Sequence, residues 1–202
     1  MHFDVSEKRR RMNKTTIEDN HFYGATFTKV ADLARGDYEN CKFVNCNFAN
    51  SDFAKVNFIE CEFVDCDLSM AKFKNTALKT VSFKGCKLLG LNFSECNSFL
   101  LSLSFEDCLL NLSSFYKLKL KGTKFINCKL QEVDFTASDL SGSIFNNCDL
   151  QRTIFNNTNI EKADFRSAYN YSIDPEINRV RKAIFSSFGV AGLLDKYNIE
   201  IE

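Results

Sequence analysis

Residues 125–150 read FINCKLQEVDFTASDLSGSIFNNCDL, and a large apolar residue returns at every fifth position of this stretch. These residues, which we call centres, are Phe125, Leu130, Phe135, Leu140, Phe145 and Leu150. A small or modest side chain stands two positions before each centre, as Cys128 stands before Leu130. The spacing of five matches neither the 3.6-residue period of an α-helix nor the two-residue period of a β-strand. It needs a different structural explanation.

The same spacing extends from Ile17 to Phe165, with one extra residue after Phe27 and two extra residues within 97–104. Identical residues also recur at a longer period of about twenty. Two sets of centres are Phe throughout, namely Phe63, Phe83, Phe105, Phe125 and Phe145, and Phe73, Phe93, Phe115, Phe135 and Phe155. Six cysteines recur two positions before a centre, namely Cys46, Cys66, Cys86, Cys108, Cys128 and Cys148. Such internal repetition is the signature of a solenoid in which one coil stacks on the next.

We therefore predict an all-β solenoid with about twenty residues and four faces per coil. Each face is a short extended segment that hydrogen-bonds to the coils on either side, about 4.8 Å away. The centre and the residue two before it point inward, because side chains alternate along an extended segment. Each corner comes two residues after a centre, where residues such as Asn147 and Gly142 tolerate a left-handed backbone. A β-sandwich of many short strands would not produce columns with a period of twenty.

The cysteine column has two interpretations. Six aligned thiols suggest a metal or redox site, but no histidine accompanies them in the sequence pattern. Neighbours about one strand spacing apart are also farther from each other than the Cβ atoms of a disulfide, which lie about 3.8 Å apart. We interpret the cysteines, like the phenylalanine columns, as small apolar core residues.

The repeat stops near Tyr169, and the following segment predicts a helical cap. Asp174 suits the N-cap of an α-helix, Pro175 its first turn and Gly189 its end, and a second short helix is expected near 190–197. The apolar residues of this segment are Ile177, Val180, Ile184, Phe185, Phe188, Leu193 and Leu194. They either cover the last coil or join two copies of the chain, and the sequence leaves both alternatives open. The expected organisation is a charged segment at 1–14 without a structural pattern, a solenoid at 15–169, and a helical cap or dimerisation segment at 170–202.

Composition argues against several classes of function. Lys and Arg number 26, as do Asp and Glu, so direct nucleic-acid binding is not expected. No apolar stretch approaches the about 20 residues of a membrane span, and the N-terminus lacks the pattern of a signal peptide, so we expect a cytoplasmic protein without membrane contact. The chain has two histidines and no recognisable catalytic, phosphate-binding or cofactor motif, so we expect neither an enzyme nor a cofactor or metal site.

One group of carboxylates is a possible partner-binding surface, although it also fits an ordinary solvated face. Its members are Glu60, Glu62, Asp65 and Asp67. A rod with a repeating exterior is suited to recognition by another protein.

The repeating unit, a small residue, a polar residue, Leu or Phe and two polar residues, resembles that of the pentapeptide-repeat proteins. The resemblance implies a right-handed quadrilateral β-helix. Within that family, CDLSMAKFKN at 66–75 and SDLSG at 138–142 resemble stretches of the quinolone-resistance Qnr proteins, and DPEINRV at 174–180 is similar to the tail of a microcin-immunity protein. These relatives imply a homodimer joined through its C-terminal segment that protects DNA gyrase or topoisomerase IV by resembling DNA.

Two features depart from those relatives. No insertion interrupts CKFVNCNF at 41–48, where some Qnr proteins have a projecting loop, and only two extra residues lie in NSFLLSLSFED at 97–107, near the place of another. The exterior is also not acidic, because lysines are frequent at 72–87 and at 117–129. A structural or adaptor rod with an unrelated protein partner is therefore the alternative hypothesis.

Overall fold

The computed structural model describes residues 20–200, and these form a parallel β-solenoid with about twenty residues per coil. The predicted fold class is confirmed. The charged segment 1–14 and the first predicted centre, Ile17, lie outside the described residues. Within residues 20–200 no helix is long and apolar enough to cross a membrane.

Two of the four faces are regular parallel sheets. The first has the order β1-β3-β5-β7, with β1 at Asn20–Tyr23, β3 at Gly36–Glu39, β5 at Asn57–Ile59 and β7 at Ala77–Lys79. The strands of the second sheet are β2 (Thr26–Thr28), β4 (Lys42–Val44), β6 (Glu62–Val64), β8 (Val81–Lys84), β9 (Leu103–Glu106), β10 (Lys124–Ile126) and β11 (Ile144–Asn146). Their order in the sheet is β11-β10-β9-β8-β6-β4-β2. Phe63 pairs with Phe83 and Phe125 with Phe145, so each centre lies on the equivalent residue of the next coil.

The other two faces are joined by single parallel bridges rather than by strands. Asp67 pairs with Lys87 and Lys129 with Asp149 on one face, whereas Asn92 pairs with Ser114 on the other. Backbone bonds such as the one from Leu130 N–H to the Asp149 carbonyl, 2.8 Å, connect these faces to the next coil. All four sides of the coil thus hydrogen-bond along the axis.

The corners have the left-handed backbone predicted for them. Asn147 has a φ of 52° and Gly142 one of 69°. The same left-handed conformation occurs at corner residues for which it costs more free energy than for Asn or Gly, including Met70, Lys117 and Leu112. The geometry of the coil therefore imposes the conformation, and Asn and Gly adopt it at the lowest free-energy cost.

Two phenylalanine columns fill the interior. Within a column the rings stack, with 4.9 Å between the centroids of Phe125 and Phe145 and 7° between their planes. Across the axis the columns meet edge to face, with 5.8 Å between Phe125 and Phe135. These are the two arrangements that aromatic rings prefer.

All nine cysteines are buried and free. In the long column each thiol lies against backbone carbonyls, as Cys148 Sγ does at 3.3 Å from the Phe125 oxygen. Burial raises the pKa of the Cys61 thiol, in a shorter neighbouring column, to about 12. The Cys61 thiol is therefore protonated at neutral pH.

The α-helix predicted from Asp174 to Gly189 is wrong. Residues 176–185 form further faces of the solenoid, in which Arg179 pairs with Asn159 and Ile184 with Asp164. The Phe185 ring stacks on Phe165 at 5.3 Å. A short isolated helix has marginal stability, whereas this conformation gains inter-coil hydrogen bonds and a ring stack.

Between the last paired face and residue 200, the helical elements are two short turns. They are 3-10 turns at Val190–Leu193 and Asp195–Tyr197. A further 3-10 turn lies within the shaft at Phe93–Glu95. The cap of the solenoid is thus two 3-10 turns rather than an amphipathic α-helix.

Candidate partner-binding surfaces

The shaft of the solenoid is filled by its own side chains. Phe63, Phe93, Leu110 and Phe135 are completely buried, as are most other centres. Within residues 20–200 no group of three or more His, Cys, Asp or Glu residues is arranged to hold a metal ion. The candidate surfaces are consequently on the outside and at the C-terminal end.

The four carboxylates predicted as a partner surface lie along one coil. Glu60 and Asp65 occupy successive corners, each with a φ of 52°. Between them Glu62 Oε2 lies 2.7 Å from Lys42 Nζ, and Asp67 Oδ2 lies 4.0 Å from Lys87 Nζ. Lysines of the adjacent coils thus offset part of this negative charge, and a partner-binding role stays a prediction.

Tyr171 closes the C-terminal end of the aromatic core. Its ring contacts Phe165 and Phe185 at centroid distances of 5.9 and 5.7 Å. A Cβ on Gly189 would clash with the Tyr171 hydroxyl, and one on Gly192 would clash with the Tyr171 carbonyl oxygen. Only glycine permits the 3-10 turns to approach so closely. The buried hydroxyl has no hydrogen-bond partner among the described residues, and burial raises its pKa.

A lysine fastens the second 3-10 turn to the preceding segment. Lys196 Nζ lies 2.8 Å from Asp174 Oδ1 and 2.6 Å from Glu176 Oε2. The neighbouring Tyr197 hydroxyl donates a hydrogen bond of 2.8 Å to Glu176 Oε1. The Lys196 ammonium group lowers the pKa of both carboxyl groups.

The structure places the predicted cap residues in three environments. Val180, Phe185 and Leu193 pack against the core and cover the last coil. Ile177, Ile184 and Phe188 are exposed, and Phe188 retains 97% of its accessible surface. Leu194 is half-buried beside the shallow depression that it lines with Ile199.

A cavity of about 440 Å³ opens beside Phe188. Its walls are formed by Ala168, Tyr169, Asn170, Tyr171, Ser186, Phe188, Gly189, Gly192 and Asp195. The end of the rod therefore presents a projecting aromatic ring next to a recess with mixed apolar and polar walls.

Sequence reasoning did not identify the third surface, a projecting corner at Phe99 and Leu100. Their side chains are 65% and 64% exposed. Lys79 Nζ lies 5.6 Å from the centroid of the Phe99 ring. The signal in the sequence was the two-residue excess within 97–104, because extra residues in a closed coil have to bulge outward.

Comparison with known proteins agrees with this architecture. The family model for the pentapeptide repeat region matches residues 37–115 and 97–165. A search of curated protein sequences gives no match.

Three of the matches are solved structures. A trypsin-treated variant of QnrB1, a plasmid-mediated fluoroquinolone resistance protein, aligns with a TM-score of 0.59 and 17% identity over 91% of this chain and 98% of its own. A second trypsin-treated QnrB1 variant gives 0.44 and 20% over 91% and 98%. HetL, a pentapeptide-repeat protein from the cyanobacterium Nostoc that is involved in heterocyst differentiation regulation, gives 0.34 and 18% over 82% and 84%.

Proposed function

This chain belongs to the pentapeptide-repeat family, and from that premise we propose that it is a non-enzymatic cytoplasmic protein that binds DNA gyrase or topoisomerase IV. The observation that carries the proposal is the filled four-sided rod. Its centres are buried against one another, which leaves the outer surface and the C-terminal end to interact with other molecules. The likeness in fold to a fluoroquinolone resistance protein supports a topoisomerase as the first partner to test.

In this proposal the rod acts by shape more than by charge. Duplex DNA has one negative charge per about 1.7 Å of its axis. On this rod, carboxylates alternate with lysines of adjacent coils, as in the pairs Lys42–Glu62 at 2.7 Å and Lys84–Glu106 at 2.9 Å. Such pairs reduce the net electrostatic field of the rod, so we expect binding to depend on the shape of its surface and on local contacts.

A supercoiling assay tests the proposal. Purified gyrase is incubated with relaxed plasmid and ciprofloxacin, with and without the protein at micromolar concentration, and topoisomerase IV decatenation is measured in parallel. We expect the protein to restore activity in the presence of the drug or to inhibit the enzyme directly. Unchanged activity of both enzymes, with and without drug, would contradict the topoisomerase proposal and favour an adaptor rod with another partner.

We further propose that two copies associate through their C-terminal ends. Phe188 lines the recess next to Tyr171, and Ile177 and Ile184 of the same C-terminal segment are also exposed, so a two-fold interface would bury apolar groups of both copies. Static light scattering at several concentrations measures the association. We expect a dimer, and we expect Phe188→Ser to shift it toward monomer.

Tyr23→Ser is the matched control, because Tyr23 is an aromatic residue 68% exposed in the first strand, far along the chain from the C-terminal end. This variant should retain the dimer. A monomeric wild-type protein at every concentration, or equal behaviour of both variants, would refute association through this end.

A further inference from the structure

The corner at residues 97–102 departs from the regular coil. Asn97 pairs with Ala77 and Leu103 pairs with Val81. The chain thus advances by six residues between these two pairings, whereas the preceding coil advances by four. The extra two residues displace Phe99 and Leu100 outward. Both side chains are therefore mostly in solvent, although they are among the most apolar in the protein.

The backbone of this corner is also incompletely paired. At regular corners the N–H donates to the coil that follows, as from Gly85 to the Glu106 carbonyl, 2.9 Å, and from Gly90 to the Asn111 carbonyl, 3.0 Å. The equivalent N–H of Leu100 makes no such bond within the described part of the chain. The apolar tip thus has an unused peptide donor beside it.

Lysines occupy neighbouring positions in the coils before and after the tip, and the ammonium group of one of them, Lys117, lies 4.8 Å from the centroid of the Tyr116 ring. Lys79 lies in the preceding coil, with its ammonium group 5.6 Å from the Phe99 ring. In the following coil Lys119 and Lys121 hold positions equivalent to Asn97 and Phe99, twenty-two residues later, and Lys117 lies at the adjacent corner. We call Phe99, Leu100, Lys79, Lys117, Lys119 and Lys121 the Phe99 patch.

The positive charge of the patch is only partly compensated. Lys121 forms an ion pair with Asp139 at 3.5 Å. Lys79, Lys117 and Lys119 form none within residues 20–200. The other nearby carboxylates are Glu95, one coil before Lys117, which accepts a hydrogen bond from Asn92, and Glu60, whose N–H donates to the Lys79 carbonyl at 2.8 Å. Four lysines therefore face three carboxylates, which leaves an excess of one positive charge.

We propose that the Phe99 patch docks a segment of a partner protein in which acidic side chains flank an apolar one. Phe99 and Leu100 would enter an apolar contact, and the lysines would pair with the flanking carboxylates, which gives the segment a defined position. Nucleic acid fits less well, because Leu100 offers no stacking face and Asp139 and Glu95 interrupt the row of positive charge. The inference does not depend on which protein supplies the segment.

Titration with defined probes tests the docking site. The full chain, labelled with ¹⁵N, is titrated with the peptide Glu-Glu-Leu-Phe-Glu-Glu, with its Lys-Lys-Leu-Phe-Lys-Lys counterpart, and with a single-stranded oligonucleotide. We expect the acidic peptide to shift amide signals of residues 97–101 and 117–121. We expect its affinity to exceed that of the basic peptide at least tenfold and to fall as salt screens the charges.

Three variants separate the contributions. Phe99→Ser with Leu100→Asn removes the apolar tip and installs a residue type that other corners use, and Lys117→Glu with Lys119→Glu reverses the charge. We expect each pair to weaken acidic-peptide binding at least tenfold. Lys72→Glu with Lys74→Glu is the charge-matched control on exposed positions beside Phe73 and should leave binding unchanged.

Each contrary result overturns the proposal. Absence of acidic-peptide binding at millimolar concentration would refute it, as would equal losses from the control pair. Stronger binding of the oligonucleotide at the same amides would assign the patch to nucleic acid instead. The titration contains no topoisomerase, so its outcome is independent of the supercoiling assay.

Discussion

Replacing Phe125 with alanine measures how much one ring contributes to the aromatic core. Its side chain has no exposed surface. Its ring stacks on Phe105 and Phe145 at 5.1 and 4.9 Å and meets Phe115 and Phe135 edge to face at 6.2 and 5.8 Å. Phe125→Ala therefore removes contacts with two neighbours in its own column and two in the opposite column.

The expected loss of stability follows from burial and from the cavity that remains. A buried aromatic side chain covers about 150–250 Å², and at about 25 cal/mol per Å² this corresponds to roughly 4–6 kcal/mol as an upper bound. Measured Phe→Ala substitutions in cores cost about 3–5 kcal/mol. Since rigid coils above and below limit collapse into the cavity, we expect a loss of about 4 kcal/mol in the free energy of unfolding.

Urea unfolding followed by circular dichroism provides the assay, with Lys124→Ala as the matched control. Lys124 precedes Phe125 in the same strand, but its side chain is exposed. We expect the control to change the free energy of unfolding by no more than about 0.5 kcal/mol. Losses within about 1 kcal/mol of each other would refute the assignment of centres to the interior.

Three further results are expected. Asn147→Ala should lower the free energy of unfolding by about 1 kcal/mol in urea titrations, because φ at this corner is 52° and alanine is strained there; a smaller loss for Ala than for Gly would contradict this reasoning. The nine buried thiols should resist Ellman's reagent in the native protein and react after denaturation, and rapid native labelling would show that the core opens. Lys196 lowers the pKa of Asp174 below its usual 3.8, so the ion pair between them, which we call the Lys196 clasp, stabilises the fold above that pH. This stabilisation is lost as the pH falls through the folded-state pKa of Asp174. Amide signals of Val190–Tyr197 should shift in acid in the wild type and not in Lys196→Met, and equal acid responses would exclude the clasp as their cause.

The shaft could be predicted from the sequence because the repeat determines both neighbours of every core residue. The twenty-residue recurrence of Phe43, Phe63 and Phe83 defines a column, and the five-residue spacing defines which side chains share a coil. The corners followed for the same reason, since Asn and Gly recur where the chain turns. Repetition thus replaces the long-range information that a single sequence usually lacks.

The C-terminal segment was mispredicted because two patterns overlap there. Asp174, Pro175 and the spacing of Ile177, Val180 and Ile184 favour a helix. The same segment has Val180 and Phe185 five residues apart, preceded at two positions by Asn178 and Ala183. Pairing with the finished coil beneath decides between these patterns, because it offers backbone partners that an isolated segment does not have.

The surfaces were less predictable than the core. The exposed state of Phe188 depends on how the chain leaves the last coil, which no periodic signal describes. The two-residue excess within 97–104 marks an irregular corner but does not say which side chains project from it. Acidic residues could be identified by type, but their pairing with Lys42 and Lys87 becomes visible only when adjacent coils are in register.

The similarity of successive coils also bears on how the chain reaches its native state. A nascent coil that skips its proper neighbour and pairs one turn further along would find almost the same hydrogen bonds and ring stacks, so such slipped species are plausible kinetic traps. The irregular corner at 97–102 breaks this degeneracy, since a slip across it leaves residues out of step by two. The corner therefore helps to fix the register in which successive coils stack during folding. Removing the two extra residues should increase the yield of misregistered chains during refolding.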